Sequence, residues 1–177
     1  MKKTAIFILT AILLTCCTKN DDVKVDNYLS LTTISGWPQI DFKTDYTIQV
    51  PVEFKGDGMQ GFEGNSFYKS SADDKIILES GYSSSLFTFD FGDTLQIPTP
   101  KSIQVMNKNS RLITLDKTEL VYQNSDIIGI FYYSNIAVSR GRLYWKDTNL
   151  FRQALEVDFQ LSELETVNKI IETIKRK

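Results

Sequence analysis

Residues 150–177 read LFRQALEVDFQLSELETVNKIIETIKRK, and a change of period inside them decides the fold. Phe151, Leu155, Val157, Phe159 and Leu161 fall on alternate positions, broken only by Gln153. Successive side chains of a strand point to opposite faces, so this alternation predicts a strand with one face buried. It outweighs a shorter helical reading of Leu150–Leu155. Ser162-Glu163-Leu164-Glu165 then has the spacing of a capping box, in which serine and glutamate satisfy first-turn amides reciprocally. Leu164, Val167, Ile171 and Ile174 follow at helical intervals, with Ile170 beside them. The pattern predicts an amphipathic helix over residues 163–175. Glu165 and Lys169 sit one turn apart, and Lys175-Arg176-Lys177 complements the dipole at the C-terminus.

Upstream, period 2 dominates. Ile127–Tyr133 (IIGIFYY) is apolar or aromatic without a break, as a strand covered on both faces would be. Ser139-Arg140-Gly141 predicts a tight turn into Arg142-Leu143-Tyr144-Trp145, and Lys146-Asp147-Thr148-Asn149 a second turn. Tyr46, Ile48, Val50, Val52 and Phe54 alternate with polar residues, and Pro51 places that strand at an edge or a bulge. Phe87, Phe89 and Phe91 repeat the alternation before a turn at Gly92-Asp93. Shorter strands are expected at 75–78, 102–106, 111–115 and 119–123, separated by polar clusters. The fold expected is all-β, or β-rich α+β: an antiparallel sandwich or meander barrel with one C-terminal amphipathic helix.

The chain has 177 residues, 42% of them hydrophobic, and no histidine. Without imidazole there is no Ser-His-Asp triad, no Cys-His pair and no His-ligated zinc. A net charge of −2 lacks the basic footprint that nucleic-acid phosphates require. No cofactor and no metal are expected.

Lys2 and Lys3 precede a short apolar run, Ala5–Leu14, too short to span a bilayer and suited to a signal peptide. The run ends in Leu13-Leu14-Thr15-Cys16-Cys17-Thr18-Lys19-Asn20-Asp21-Asp22. This resembles a bacterial lipoprotein signal, with leucine three residues before a cysteine that is lipidated and becomes the mature N-terminus. Two registers fit, Cys17 after Leu14 and Cys16 after Leu13. Cys17 is preferred, because Cys-Thr-Lys-Asn-Asp-Asp is similar to the opening of Bacteroidota lipoproteins. The resemblance implies lipidation at Cys17, anchorage at the outer membrane and, through the acidic run, display at the cell surface. Residues 1–16 would be the signal peptide, 17–27 the lipidated cysteine and tether, and 28–177 a single β-rich domain. Removing residues 1–16, with two lysines and no acid, takes the net charge from −2 to −4 and leaves no disulfide candidate.

Gly56-Asp57-Gly58-Met59-Gln60-Gly61 matches a dinucleotide fingerprint in letters, but no helix opens at its last glycine, so a hairpin loop is expected. Asp90-Phe91-Gly92 spells a kinase triplet in a chain without the kinase catalytic histidine, and reads as a strand end and turn. Asp73-Asp74 and Asp21-Asp22 lack the alternating oxygens of a calcium loop. A glycan hydrolase needs two facing carboxylates; Asp90, Asp93, Glu119, Asp126, Asp147 and Glu156 are candidates, without a placed pair.

Aromatic residues gather between Phe131 and Trp145, and Trp37 suits the end of the core. Exposed Tyr and Trp rings offer flat faces with a polar edge to sugars or partner proteins. Tyr133, Tyr144 and Trp145 are therefore the expected ligand or partner surface, with the outward member of the Tyr144/Trp145 pair at its centre. The function expected is a non-catalytic envelope binding or accessory lipoprotein with a protein or glycan partner. The alternatives are a carboxylate-dependent glycan hydrolase and a toxin-immunity or inhibitor lipoprotein.

Overall fold

The computed structural model describes residues 27–42, 46–56, 60–61, 64–65, 67–80, 94–96, 99–106, 109, 111–147 and 150–177. Cys16 and Cys17, the Phe87–Asp93 segment and Asp57-Gly58 lie outside them. The strands are β1 (Asn27–Ser30), β2 (Gln39–Phe42), β3 (Tyr46–Gln49), β4 (Gln60–Gly61), β5 (Gly64–Asn65), β6 (Phe67–Ser70), β7 (Ile76–Ser80), β8 (Thr94–Gln96), β9 (Ile103–Met106), β10 (Leu112–Leu115), β11 (Lys117–Gln123), β12 (Asp126–Tyr133), β13 (Val138–Asp147), β14 (Leu150–Gln160) and β15 (Lys175–Arg176). One α-helix, α1, runs from Leu164 to Glu172.

The main sheet has eight strands in the order β1-β11-β12-β13-β14-β7-β6, with β8 paired to the first part of β14. Its centre, β11 to β14, is the expected antiparallel meander. β1 joins parallel to β11, which local patterning does not reveal. The sheet does not close into a barrel, and separate small sheets form from β2-β3-β15 and from β9-β10.

Both faces of the meander are covered. On one face Phe131, Leu143, Leu155, Val157 and Phe159 meet Val167, Ile170, Ile171 and Ile174 from the helical side, with Ile48 and Val50. Trp37 packs at the margin of this cluster, as its position in the sequence suggests. On the other face Leu120, Ile130, Tyr132, Tyr144 and Phe151 meet Leu95, Val105 and Leu115. The Tyr132 hydroxyl donates to the Pro100 carbonyl at 2.6 Å, and burial pushes its phenol up to about 12.

Four expectations change. Phe151 and Leu155 lie in different clusters, because the β13–β14 register shifts after Leu143 and passes over Ala154. One extra residue exchanges the faces of everything beyond it, so the break at Gln153 marks a bulge. The Tyr46–Phe54 alternation stops at Gln49; Pro51 has no N–H for a ladder, a turn follows, and Val52 is 72% exposed. Ser139, Arg140 and Gly141 are not a turn but lie within β13, and the hairpin closes through residues 134–137. The Ser139 hydroxyl fastens that hairpin by donating to the Ser134 and Ile136 carbonyls.

The helix is the fourth. Leu161–Glu163 form a 3-10 turn, α1 starts at Leu164, and no side chain caps it. The Leu161 amide still donates to the Ala137 carbonyl, so the chain leaves the sheet too late for Ser162 to cap. The helix ends at Glu172, where the Thr173 hydroxyl donates to the Ile170 carbonyl and the Gln49 amide donates to the Thr173 oxygen. Lys175–Arg176 then pair with Thr47 and Tyr46 of β3 instead of extending the helix. The expected Glu165–Lys169 pair forms at 2.6 Å.

Gly141 has a packing role. A Cβ there would stand 2.5 Å from two ring atoms of Phe131, which is fully buried. At Gly129 a Cβ would stand 2.9 Å from the partly exposed Trp145 ring. Overpacking costs about 1–3 kcal/mol where the neighbour cannot move. Gly141→Ala should therefore lower the melting temperature clearly, whereas Gly129→Ala should chiefly shift the Trp145 fluorescence by tilting its ring. Equal melting temperatures for the two variants would contradict this account.

Candidate functional site

The distribution of Tyr144 and Trp145 follows from strand geometry. Neighbours in β13, they project to opposite faces, as expected. The face Tyr144 enters is covered, leaving it 1% exposed among Leu115, Ile130 and Tyr132. Tyr133 is 5% exposed and stacks on Phe131 at 5.5 Å. These two expected surface residues are core residues. Trp145 alone of the three reaches the surface.

It does so in an open groove of about 570 Å3, a volume usual for small-ligand sites. The groove forms where strand ends of the main sheet meet the small β2-β3-β15 sheet. β13 supplies Trp145 and Lys146, β11 supplies Gln123, and Ile128 comes from β12. A register shift beyond Val121 leaves Ile128 without a cross-strand partner and turns it toward the groove. Across from them stand Tyr46 of β3 and Lys175 and Arg176 of β15. Tyr46 and Trp145 meet edge to face, 6.2 Å apart at 72°. The indole lies over Gly129, its cross-strand partner, where a larger residue would displace it.

The groove is basic as well as aromatic. Lys146, Lys175 and Arg176 are among its lining residues, and among the described lining residues there is no carboxylate. Arg176, the cross-strand partner of Tyr46, shares that ring's face, whereas Lys146 alternates with Trp145 and pairs with Phe151 of the other face. Lys175 is positioned by its ammonium donating to the Thr33 hydroxyl. Lys177, just beyond, pairs with Asp41 at 3.1 Å. This cationic site belongs to a chain whose net charge is −2.

Of the candidate acids, Glu119, Asp126 and Glu156 lie elsewhere, and the Asp147 side chain is outside the described part of the structure. Glu156 has both oxygens occupied, one by Arg142 at 3.0 Å and the Gln153 amide at 3.2 Å, the other by Arg140 at 3.3 Å. Asp158 binds the same Arg140 at 2.9 Å, and Arg140 also donates to the Met106 carbonyl. Glu119 is buried beside the Tyr133 hydroxyl, and Asp126 is exposed at the start of β12. Asp90 and Asp93 lie outside the described residues. Asp73 belongs to a turn; the Lys75 ammonium and the Ser71 hydroxyl hold its carboxyl down at about 2. Among the described residues no group of acids, cysteines or histidines is placed to hold a metal.

No family model, curated protein or solved structure matches the chain. The groove therefore stands on its own geometry. Sequence reasoning reached Trp145 but missed Tyr46, Lys146, Lys175 and Arg176. The basic residues carry no joint signal in the sequence, where Lys146 belongs to a polar turn segment and Lys175-Arg176 to the charged end of the chain.

Proposed function

We propose that this protein is a non-catalytic binding module, held at the outer membrane by lipid on Cys17, whose ligand seats on Trp145. The observation that carries the binding reading is the pairing of two aromatic rings with three cations in one open groove. Rings and fixed charges suffice for recognition, whereas hydrolysis needs acids placed across a cleft. Glu156 has both oxygens engaged, by Arg140 on one side and by Arg142 and Gln153 on the other, as a structural ion cluster does. The anchor rests on the Leu14-Thr15-Cys16-Cys17 register and on the acidic run after it.

Two experiments test the two halves. The full chain and its Trp145→Ala variant are compared on a mixed glycan and protein array. Loss of the captured ligand with unchanged circular dichroism is expected; an identical capture profile would refute the site. For the anchor, Cys17→Ala should abolish metabolic labelling by a fatty acid and Cys16→Ala should leave it. Loss of label in Cys16→Ala alone would assign the other register.

A further inference from the structure

Resting on that binding reading, we propose that the groove selects an anionic sugar, one whose ring lies on Trp145 while its carboxylate meets Arg176, which shares the face of Tyr46. Three features converge on this class. The indole is partly buried, presses on the Gly129 backbone and is flanked edge-on by Tyr46. A ring held in that way loses little freedom on binding and suits the flat C–H face of a pyranose. Gln123 places an amide, both donor and acceptor, among the lining residues, as sugar hydroxyls require.

The charges then favour an anionic sugar over a neutral one. Three cations, with no carboxylate among the described lining residues, make a local positive field on a net-negative chain, and such a field concentrates anions. An acidic peptide would share that attraction. A glutamate chain, however, has no flat C–H ring to lay on the indole, and as an added strand it would find only β15, two residues long, along the groove. Vesicles of phosphatidylglycerol supply an anionic headgroup without a sugar ring, and tighter binding to them than to galacturonate oligosaccharides would overturn the sugar class.

The test measures affinity of the full chain for galacturonate oligosaccharides and for the same oligosaccharides methyl-esterified, which removes charge and little else. Polyglutamate serves as the acidic peptide. The acid form should bind at least about tenfold more tightly than the ester at low salt, as one charge-assisted hydrogen bond allows. The gap should shrink as salt rises. Arg176→Ala should narrow it severalfold, and Trp145→Ala should remove binding of both forms. Equal affinity for acid and ester would overturn the anionic preference and leave the binding reading intact. Polyglutamate binding as tightly as galacturonate would overturn the sugar class. If neither oligosaccharide binds and Trp145→Ala leaves the array profile unchanged, both readings fall.

Discussion

Ile171→Asp is expected to leave no cooperative unfolding transition above room temperature. Ile171 is fully buried against the main sheet, with Val167 and Ile170 on the same helical face. Removing its side chain from the core forfeits roughly 1.5–3 kcal/mol. Placing a carboxylate there adds a desolvation penalty of several kcal/mol unless the carboxylate stays protonated. Domains of this kind have about 5–15 kcal/mol in total, so the sum consumes most of the stability. Ile171→Val, which removes one methyl, should cost only about 0.5–1.5 kcal/mol. Lys169→Asp, two residues away on the exposed face, should be nearly silent although it breaks the pair with Glu165. Urea titration followed by tryptophan fluorescence separates the three. A midpoint for Ile171→Asp equal to that of the wild type would mean that the helix is not docked.

The second large effect is expected at Glu156. Its carboxylate is shared by Arg140 and Arg142, whose side chains are only 8% and 3% exposed. Asp158 still serves Arg140 and Gln153 still serves Arg142 when Glu156 is gone, but Arg142 loses its 3.0 Å ion pair. Removing one member of a buried ion cluster costs about 3–5 kcal/mol, because the charge left behind stays desolvated. Glu156→Ala should approach that value, and Glu156→Gln should fall between it and the wild type, since an amide oxygen still accepts. Replacing Arg142 and Glu156 together by leucine should recover most of the loss, giving a strongly non-additive double-mutant cycle. Additive losses would mean that the two residues do not depend on each other.

The meander and the apolar stripe of α1 were legible in the sequence because both are recorded locally, as repeats of period 2 and 3.6. The uncapped start of α1 was not, since it depends on the Leu161 amide still bonding Ala137 across the sheet. Gly141 looked like a turn residue, yet its lack of a side chain admits the Phe131 ring. The pairing of β1 with β11 and of β15 with β3 joins segments far apart in the chain, which leave no mark on each other's composition. The site divides in the same way. Trp145 could be singled out as one of two rings on opposite faces. Both faces are covered at their centres; Trp145 is reached in the groove at the margin of the helix-side core, whereas Tyr144 shares its cluster with Val105 of β9 and Leu115 of β10.

The parallel seating of β1 has a mechanical consequence. If the chain is tied at Cys17 and grips a ligand beyond the end of β1, as proposed, drag on the ligand pulls along the strand axis. The load then falls on the pairs from Asn27–Glu119 to Ser30–Tyr122 together, in shear, instead of peeling them one after another. Just beyond, the Thr32 amide is fastened to the Glu172 carbonyl of the helix, and Leu29 is wedged into the core. Force applied through the leash thus meets the strand lengthwise, the direction in which a ladder yields last.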